Sequence, residues 1–216
     1  MAHLLKVDVF TDPVCPWCLI GSVRLDRVLS ALPEGIDVVI ENHPFYLDPD
    51  TPEEGVDTGE MLRAKYGRDP VELYERVESE AVRMGIDLDL SQQPRRYPTA
   101  TAHTLVRYAK PFGTQHALAN AIAEAHFLEH RAINDLSVLA DIAEDHGIDR
   151  GEAMDVMSDA THLAETERLA SEAAQQGIRG VPFFVFNQKY AISGAQPEEV
   201  FIKAIEQTLA GAEPEQ

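Results

Sequence analysis

The chain has 216 residues, 44% of them apolar and 25% charged, and its 18 Lys+Arg against 37 Asp+Glu give a formal net charge of −19. That length can bury roughly 70% of the unfolded surface, and the composition excludes a disordered chain, a collagen-like chain and a small disulfide-stapled scaffold. So acidic a surface repels phosphate backbones and anionic lipid, which argues against nucleic-acid and membrane partners and leaves solubility as the plain use of the charge.

The opening MAHLLKVDVFTD lacks an apolar stretch behind a basic one, and its alternation over residues 4–11 predicts a strand instead of a secretion signal. The longest apolar run, 181–186, contains Pro182 and falls far short of the ~20 residues a membrane span requires, so a cytoplasmic protein is expected. Asp12-Pro13-Val14-Cys15-Pro16-Trp17-Cys18 reads as a turn. A helix follows to about residue 32, with Leu19, Val23, Val28, Leu29 and Leu32 near helical spacing and Pro33-Glu34-Gly35 ending it. Residues 37–45 predict a second strand, parallel to the first, which completes a βαβ unit.

From 47 to 176 the pattern gives six or seven helices and almost no strand signal. Asp69-Pro70 caps and opens a helix to about residue 84, stopped by Gly85. Pro98-Thr99 opens another, carrying Ala102, Leu105, Val106 and Ala109, and 113–130 is Ala-rich and amphipathic. Asp135 starts a helix with Leu136, Leu139, Ile142 and Ala143, stopped by Gly147, while Asp149 and Thr161 start two more. Strand character returns at 183–186 and 190–193, a hairpin around Asn187-Gln188-Lys189. Pro197 opens a terminal helix to about residue 209 with Val200, Phe201, Ile205 and Leu209 on one face, and a frayed tail is expected at 212–216. The expected architecture is α/β: halves at 1–46 (βαβ) and 177–211 (ββα) share one sheet, and 47–176 is an all-helical insertion between them.

The chain has two cysteines, Cys15 and Cys18, so a zinc site built from two CxxC pairs is excluded and the chemistry points to this one motif. At a strand-to-helix turn, the helix N-terminus offers unpaired N–H groups and the positive end of the dipole, which favour a thiolate at Cys15. Pro16 suits the first helical turn, where its missing N–H has no intrahelical partner. Cys18, on the same face, can resolve a mixed disulfide formed at Cys15. Half of a metal site, or two inert packed thiols, are the bland alternatives. His126-Phe127-Leu128-Glu129-His130 has the H-x-x-E-H spacing of a zinc motif, with both histidines expected on one helical face. Without an identified third ligand, solvated or partly buried histidines are the default, and neither a metal nor a cofactor is expected.

Cys15-Pro16-Trp17-Cys18 behind a strand, the helical insertion and Gly180-Val181-Pro182-Phe183-Phe184 together resemble the DsbA-like branch of the thioredoxin superfamily, and within it the cytoplasmic FrnE-type proteins. The likeness extends to 102–109, 133–149 and 180–196, and it implies a thioredoxin-like fold, a mixed sheet and a thiol–disulfide oxidoreductase or isomerase acting on protein disulfides. It further implies a cis Val181–Pro182 peptide facing the dithiol, where an extended substrate could pair with the Val181 main chain. Trp17 and Phe183 are the expected apolar substrate contacts, and His103 is a candidate at the cleft with a core or capping role as its alternative. In one respect the sequence departs from the family. Six residues before the first Cys, where a buried carboxylate usually assists proton transfer, stands Val9; Asp8 falls on the opposite strand face, leaving water or Asp12 as candidates. The partners implied are proteins carrying thiols or disulfides, with a low-molecular-weight thiol or a thioredoxin-type protein for recycling. The alternative is an isomerase or transferase using a small thiol, akin to 2-hydroxychromene-2-carboxylate isomerase or kappa-class glutathione transferase. Those enzymes place Ser where Cys15 stands. A redox-controlled binding module is the non-enzymatic possibility.

Overall fold

A computed structural model describes residues 3–210; the expected frayed tail lies outside them. Strand β1 (His3–Thr11) pairs in parallel with β2 (Ile36–Pro44) across helix α1 (Pro16–Ser30), the expected βαβ unit. The hairpin of β5 (Phe183–Phe186) and β6 (Tyr190–Ser193) adds antiparallel to the other side of β1, giving the order β2-β1-β5-β6. The hairpin closes through Asn187 and Gln188, both at positive φ.

Alternation along these strands sorts the core into two layers. Leu5, Val7 and Val9 share one face with Phe184 and Phe186 and are buried against Leu25 and Val28 of α1 and Phe201 and Ile205 of the terminal helix α9 (Glu198–Ala210). Phe10 and Phe45 are buried on the other face with Ala173 and Ile178, and Phe183 and Val185 are half-buried against them.

Between the halves of the sheet run α2 (Thr58–Tyr66), α3 (Pro70–Arg83), α4 (Ala100–Tyr108), α5 (Gln115–Phe127), α6 (Leu136–Asp145), α7 (Arg150–Ser158) and α8 (Ala160–Gln175). Asp57, Asp69, Asp135, Asp149 and Asp159 each cap one of them by accepting backbone N–H bonds. Two residue pairs, β3 (Val56–Asp57) and β4 (Arg95–Arg96), form a small antiparallel ladder that is too short for alternation to reveal. Among the described residues no helix is long and apolar enough to cross a membrane.

Four local expectations are corrected. Helix α1 ends at Ser30 rather than near residue 32, and it is buried on several sides, with Ile20, Arg24 and Leu25 inside while Val23 and Leu29 are only half-buried. It is enclosed by the sheet, α3, α5 and α9, so no single stripe describes it. Helix α8 begins at Ala160, because the Asp159 carboxylate takes the Thr161 and His162 N–H groups. In α9 the inward face is Phe201, Ile205 and Thr208, with Val200 exposed, because Phe201 seats edge-on between Phe184 and Phe186 at 5.0 and 6.4 Å. Helix α5 stops at Phe127, and His130 lies beyond it at φ 57°. His126 is therefore buried in the helix while His130 is exposed outside it, and the two do not share a face.

Candidate active site

Strand β1 delivers Asp12 to a turn whose Asp12 carbonyl accepts the Cys15 N–H at 2.9 Å, and α1 begins at once. Cys15 is the N-cap residue in an extended conformation, Pro16 fills the first helical turn, and the Cys18 N–H returns to the Cys15 carbonyl at 2.9 Å. The Val181–Pro182 peptide is cis, and the Cys15 thiol lies 3.7 Å from the Val181 carbonyl, to which it can donate. Beneath it, Gly21 of α1 faces Pro182: a Cβ there would sit 2.9 Å from Pro182 Cγ.

The two thiols differ in electrostatics although both are buried, at 4% and 3% exposure. A hydrogen bond from the Cys18 thiol holds the Cys15 pKa down, burial and the Asp12 charge oppose it, and the Cys18 N–H and the Arg96 charge also favour the thiolate. Burial pushes Cys18 well above the ordinary thiol value, and its bond to Cys15 reinforces the shift. The two shifts thus run in opposite directions, Cys15 toward the thiolate and Cys18 toward the protonated thiol.

Two spaces flank the motif. On the outer side a cleft of about 280 Å³ is lined by Cys15, Trp17 and Val181 together with Leu62 of α2, Tyr74 of α3 and Arg96 of β4. The Arg76 guanidinium lies 5.7 Å from the Trp17 ring centroid, over the face the sequence marks for contact. Arg96 is buried, reaching the Val14 carbonyl at 3.4 Å and lying 3.0 Å from the Asp48 carboxylate. On the inner side a cavity of about 20 Å³ is bordered by Cys18, Asp12, His103, Asn42 and Asn120.

Of the residues marked from sequence, Cys15, Pro16, Trp17 and Val181 line the outer cleft, with Pro182 buried beside them. Phe183 does not line it: the strand turns its side chain to the opposite layer, against Phe10 with ring centroids 6.3 Å apart. His103 is also absent from that cleft and borders the inner cavity, with Nε2 3.7 Å from Asp12 Oδ1. Asp12 is 1% exposed, and its Oδ2 accepts the Leu47 N–H at 2.8 Å. Burial works to raise its pKa but is outweighed by His103, Arg96 and the Leu47 N–H, so the carboxylate is held ionised. Val9 is buried against Phe184, and Asp8, on the other strand face, meets His43 Nε2 at 2.9 Å. Asp8, Glu41 and His43 converge closely enough to ligate a metal, but Lys6 Nζ lies 3.2 Å from both carboxylates and Lys110 also pairs with Glu41, so two ammonium groups already balance the two carboxylates. Sequence reasoning missed Arg96, Leu62 and Tyr74. They come from the helical block, where no motif ties them to residues 15–18.

The chain matches the family described as DSBA-like thioredoxin domain over residues 6–206. It is similar to the crystal structure titled "probable DsbA oxidoreductase SCO1869" from Streptomyces coelicolor, at 32% identity and TM-score 0.86, covering 98% of this chain and 93% of that one. The uncharacterized protein YwbO of Bacillus subtilis is 25% identical over 205 residues, 93% of this chain and 96% of YwbO. A 2-hydroxychromene-2-carboxylate isomerase structure shares the fold at 18% identity and TM-score 0.75, covering 94% of this chain and 95% of its own.

Proposed function

The chain belongs to the DSBA-like thioredoxin domain family, and from that premise we propose that it is a thiol–disulfide oxidoreductase or isomerase working on protein disulfides through Cys15 and Cys18. The observation that carries this reading is the asymmetric pair at the start of α1: the Cys15 sulfur lies 3.7 Å from the Val181 carbonyl with its pKa held down by Cys18, and the buried Cys18 behind it has its pKa pushed up. The Cys15 thiolate attacks one sulfur of a substrate disulfide and the other sulfur leaves with the electron pair. Cys18, once deprotonated, attacks Cys15 Sγ, closes the Cys15–Cys18 bond and releases the second substrate thiolate. In reverse, the same disulfide oxidises a substrate dithiol. Trp17 and the apolar wall from α2 and α3 offer the contact surface, and the Val181 main chain offers a pairing edge for an extended segment. Recycling falls to a low-molecular-weight thiol or a thioredoxin-type protein. A cytoplasmic setting suits a chain whose two cysteines both lie in the motif.

A small-thiol isomerase is the second reading. Favouring it are the 4% exposure of Cys15 and a cleft of about 280 Å³, close to small-ligand size. Incubating Cys18→Ser with a cystine-linked peptide separates the two. On the first reading a peptide adduct accumulates on Cys15, while the unaltered protein proceeds to the Cys15–Cys18 disulfide and free peptide thiols by mass. If no adduct forms and no intramolecular disulfide appears at any glutathione poise, the oxidoreductase reading fails and the isomerase takes its place. The reduction potential then sets direction: near about −120 to −180 mV an oxidant or isomerase, near about −270 mV a reductase.

A further inference from the structure

We infer that His103, held against the Asp12 carboxylate, receives the proton that Cys18 must lose to resolve a mixed disulfide on Cys15. This rests on the thiol–disulfide reading above and concerns the step that reading leaves without a base.

The requirement comes from the neighbourhood of Cys18. Cys18 is 3% exposed, so bulk water reaches its thiol poorly at neutral pH, and burial disfavours the thiolate. Val9, fully buried opposite Phe184, carries no acid–base group. On the side away from substrate, however, Cys18, Asp12 and His103 border one cavity of about 20 Å³, room enough for a water molecule. Two observations single out His103 within it. The first is that its Nε2 is buried with no hydrogen-bond partner in ordinary reach, and it is the basic nitrogen so placed on this cavity, where the Asn42 Nδ2 is an amide donor. The second is that this same nitrogen lies 3.7 Å from Asp12 Oδ1, so an imidazolium formed there is paired at once. Asp12 stabilises that cation rather than keeping the proton itself, since the Arg96 charge and the Leu47 N–H favour its ionised form whatever the state of His103. The ring packs against Tyr46, with centroids 5.5 Å apart. The other titratable or charged groups facing the cluster are Cys15 on α1, His43 on β2, Tyr46 after β2, Arg96 on β4 and His126 on α5.

The step balances as follows. The Cys18 S–H bond breaks and its proton passes to His103 Nε2, directly or across one water. The Cys18 electron pair forms the bond to Cys15 Sγ, and the Cys15–substrate S–S bond breaks with its pair leaving on the substrate sulfur. The dithiol is oxidised by two electrons and the substrate disulfide is reduced by two. The His103 proton is then returned through the cavity as the thiols are regenerated.

Dithionitrobenzoate reads both steps in the whole protein. A first release of thionitrobenzoate marks attack by Cys15, and a second marks resolution by Cys18. At about pH 7, His103→Gln should lower the ratio of the second rate to the first about 100-fold, within the range of general base catalysis. The deficit should shrink as pH rises and hydroxide replaces the imidazole. Should that variant fail to fold, Asp12→Asn is read by the same ratio. An unchanged ratio, or a deficit equal at every pH as a purely structural change would give, overturns the inference. Absence of the first phase in the unaltered protein would instead sink the oxidoreductase reading.

Discussion

His126 shows how far a histidine's environment can depart from what its spacing suggests. In α5 it is 2% exposed, edge-on to Phe127 at 4.6 Å and to Tyr97 at 6.1 Å. Burial first, and the Arg96 charge after it, lower its pKa to about 4. In the unfolded chain the ring binds a proton below about 6.5, whereas the folded protein resists doing so until about 4. Stability is therefore full above that window, falls as pH drops through it, and levels off below. The loss attributable to His126 should be about 3 kcal/mol. Urea unfolding at about pH 7.5 and 4.5 checks it: His126→Gln should lose less stability than the unaltered protein by most of that amount, about 2.5 kcal/mol, since pH 4.5 lies just above the lower end of the window. Equal losses would mean that the ring protonates freely in the native state.

At the scale of elements, α1 carries the site because of how it is pinned. Its Arg24 is buried and donates to the Ala195 carbonyl at 2.5 Å and to Glu80 of α3 at 2.6 Å, tying the helix to the segment before α9 and to the helical block. One turn earlier, Gly21 lets α1 approach the Val181–Pro182 segment. Alanine is the better helix former by about 1 kcal/mol, yet its Cβ would lie 2.9 Å from Pro182 Cγ and 3.1 Å from Phe184 Cζ. Overpacking of this kind costs about 1–3 kcal/mol. Gly21→Ala should therefore lower the denaturation midpoint and, by moving the Val181 carbonyl from Cys15, alter the rate of Cys15 alkylation. A variant more stable than the parent would show that this contact yields easily.

Over the whole molecule, a net charge of −19 surrounds a cleft that holds the cations Arg76 and Arg96. Long-range approach and local docking thus favour opposite charges. The summed field acts first, at distances where the two arginines are outnumbered. A cystine peptide flanked by lysines should form the Cys15 adduct about tenfold faster at low ionic strength than one flanked by glutamates. The difference should close as salt shortens the screening length to about 3 Å at 1 M. Faster capture of the glutamate peptide would mean that the cleft arginines dominate.

Much of the architecture follows from local rules that a sequence states directly. The alternation of β1 and of the β5–β6 hairpin, and the aspartate caps of α3, α6 and α7, involve residues only a few positions apart. So does the placement of Cys15 and Pro16 at a helix start, since backbone hydrogen bonding and side-chain periodicity act over a turn or a strand. Where those rules missed, longer contacts decided. Phe201 rotates α9 onto Phe184 and Phe186, and Phe183 turns away from the cleft to Phe10. Arg96 reaches the Val14 carbonyl from 82 positions away. His103 meets Asp12 behind Cys18 only because α4 is folded against the strand-to-helix turn. Desolvation and charge pairing depend on which surfaces are brought together, and these proximities exist only once the helical block closes over the sheet.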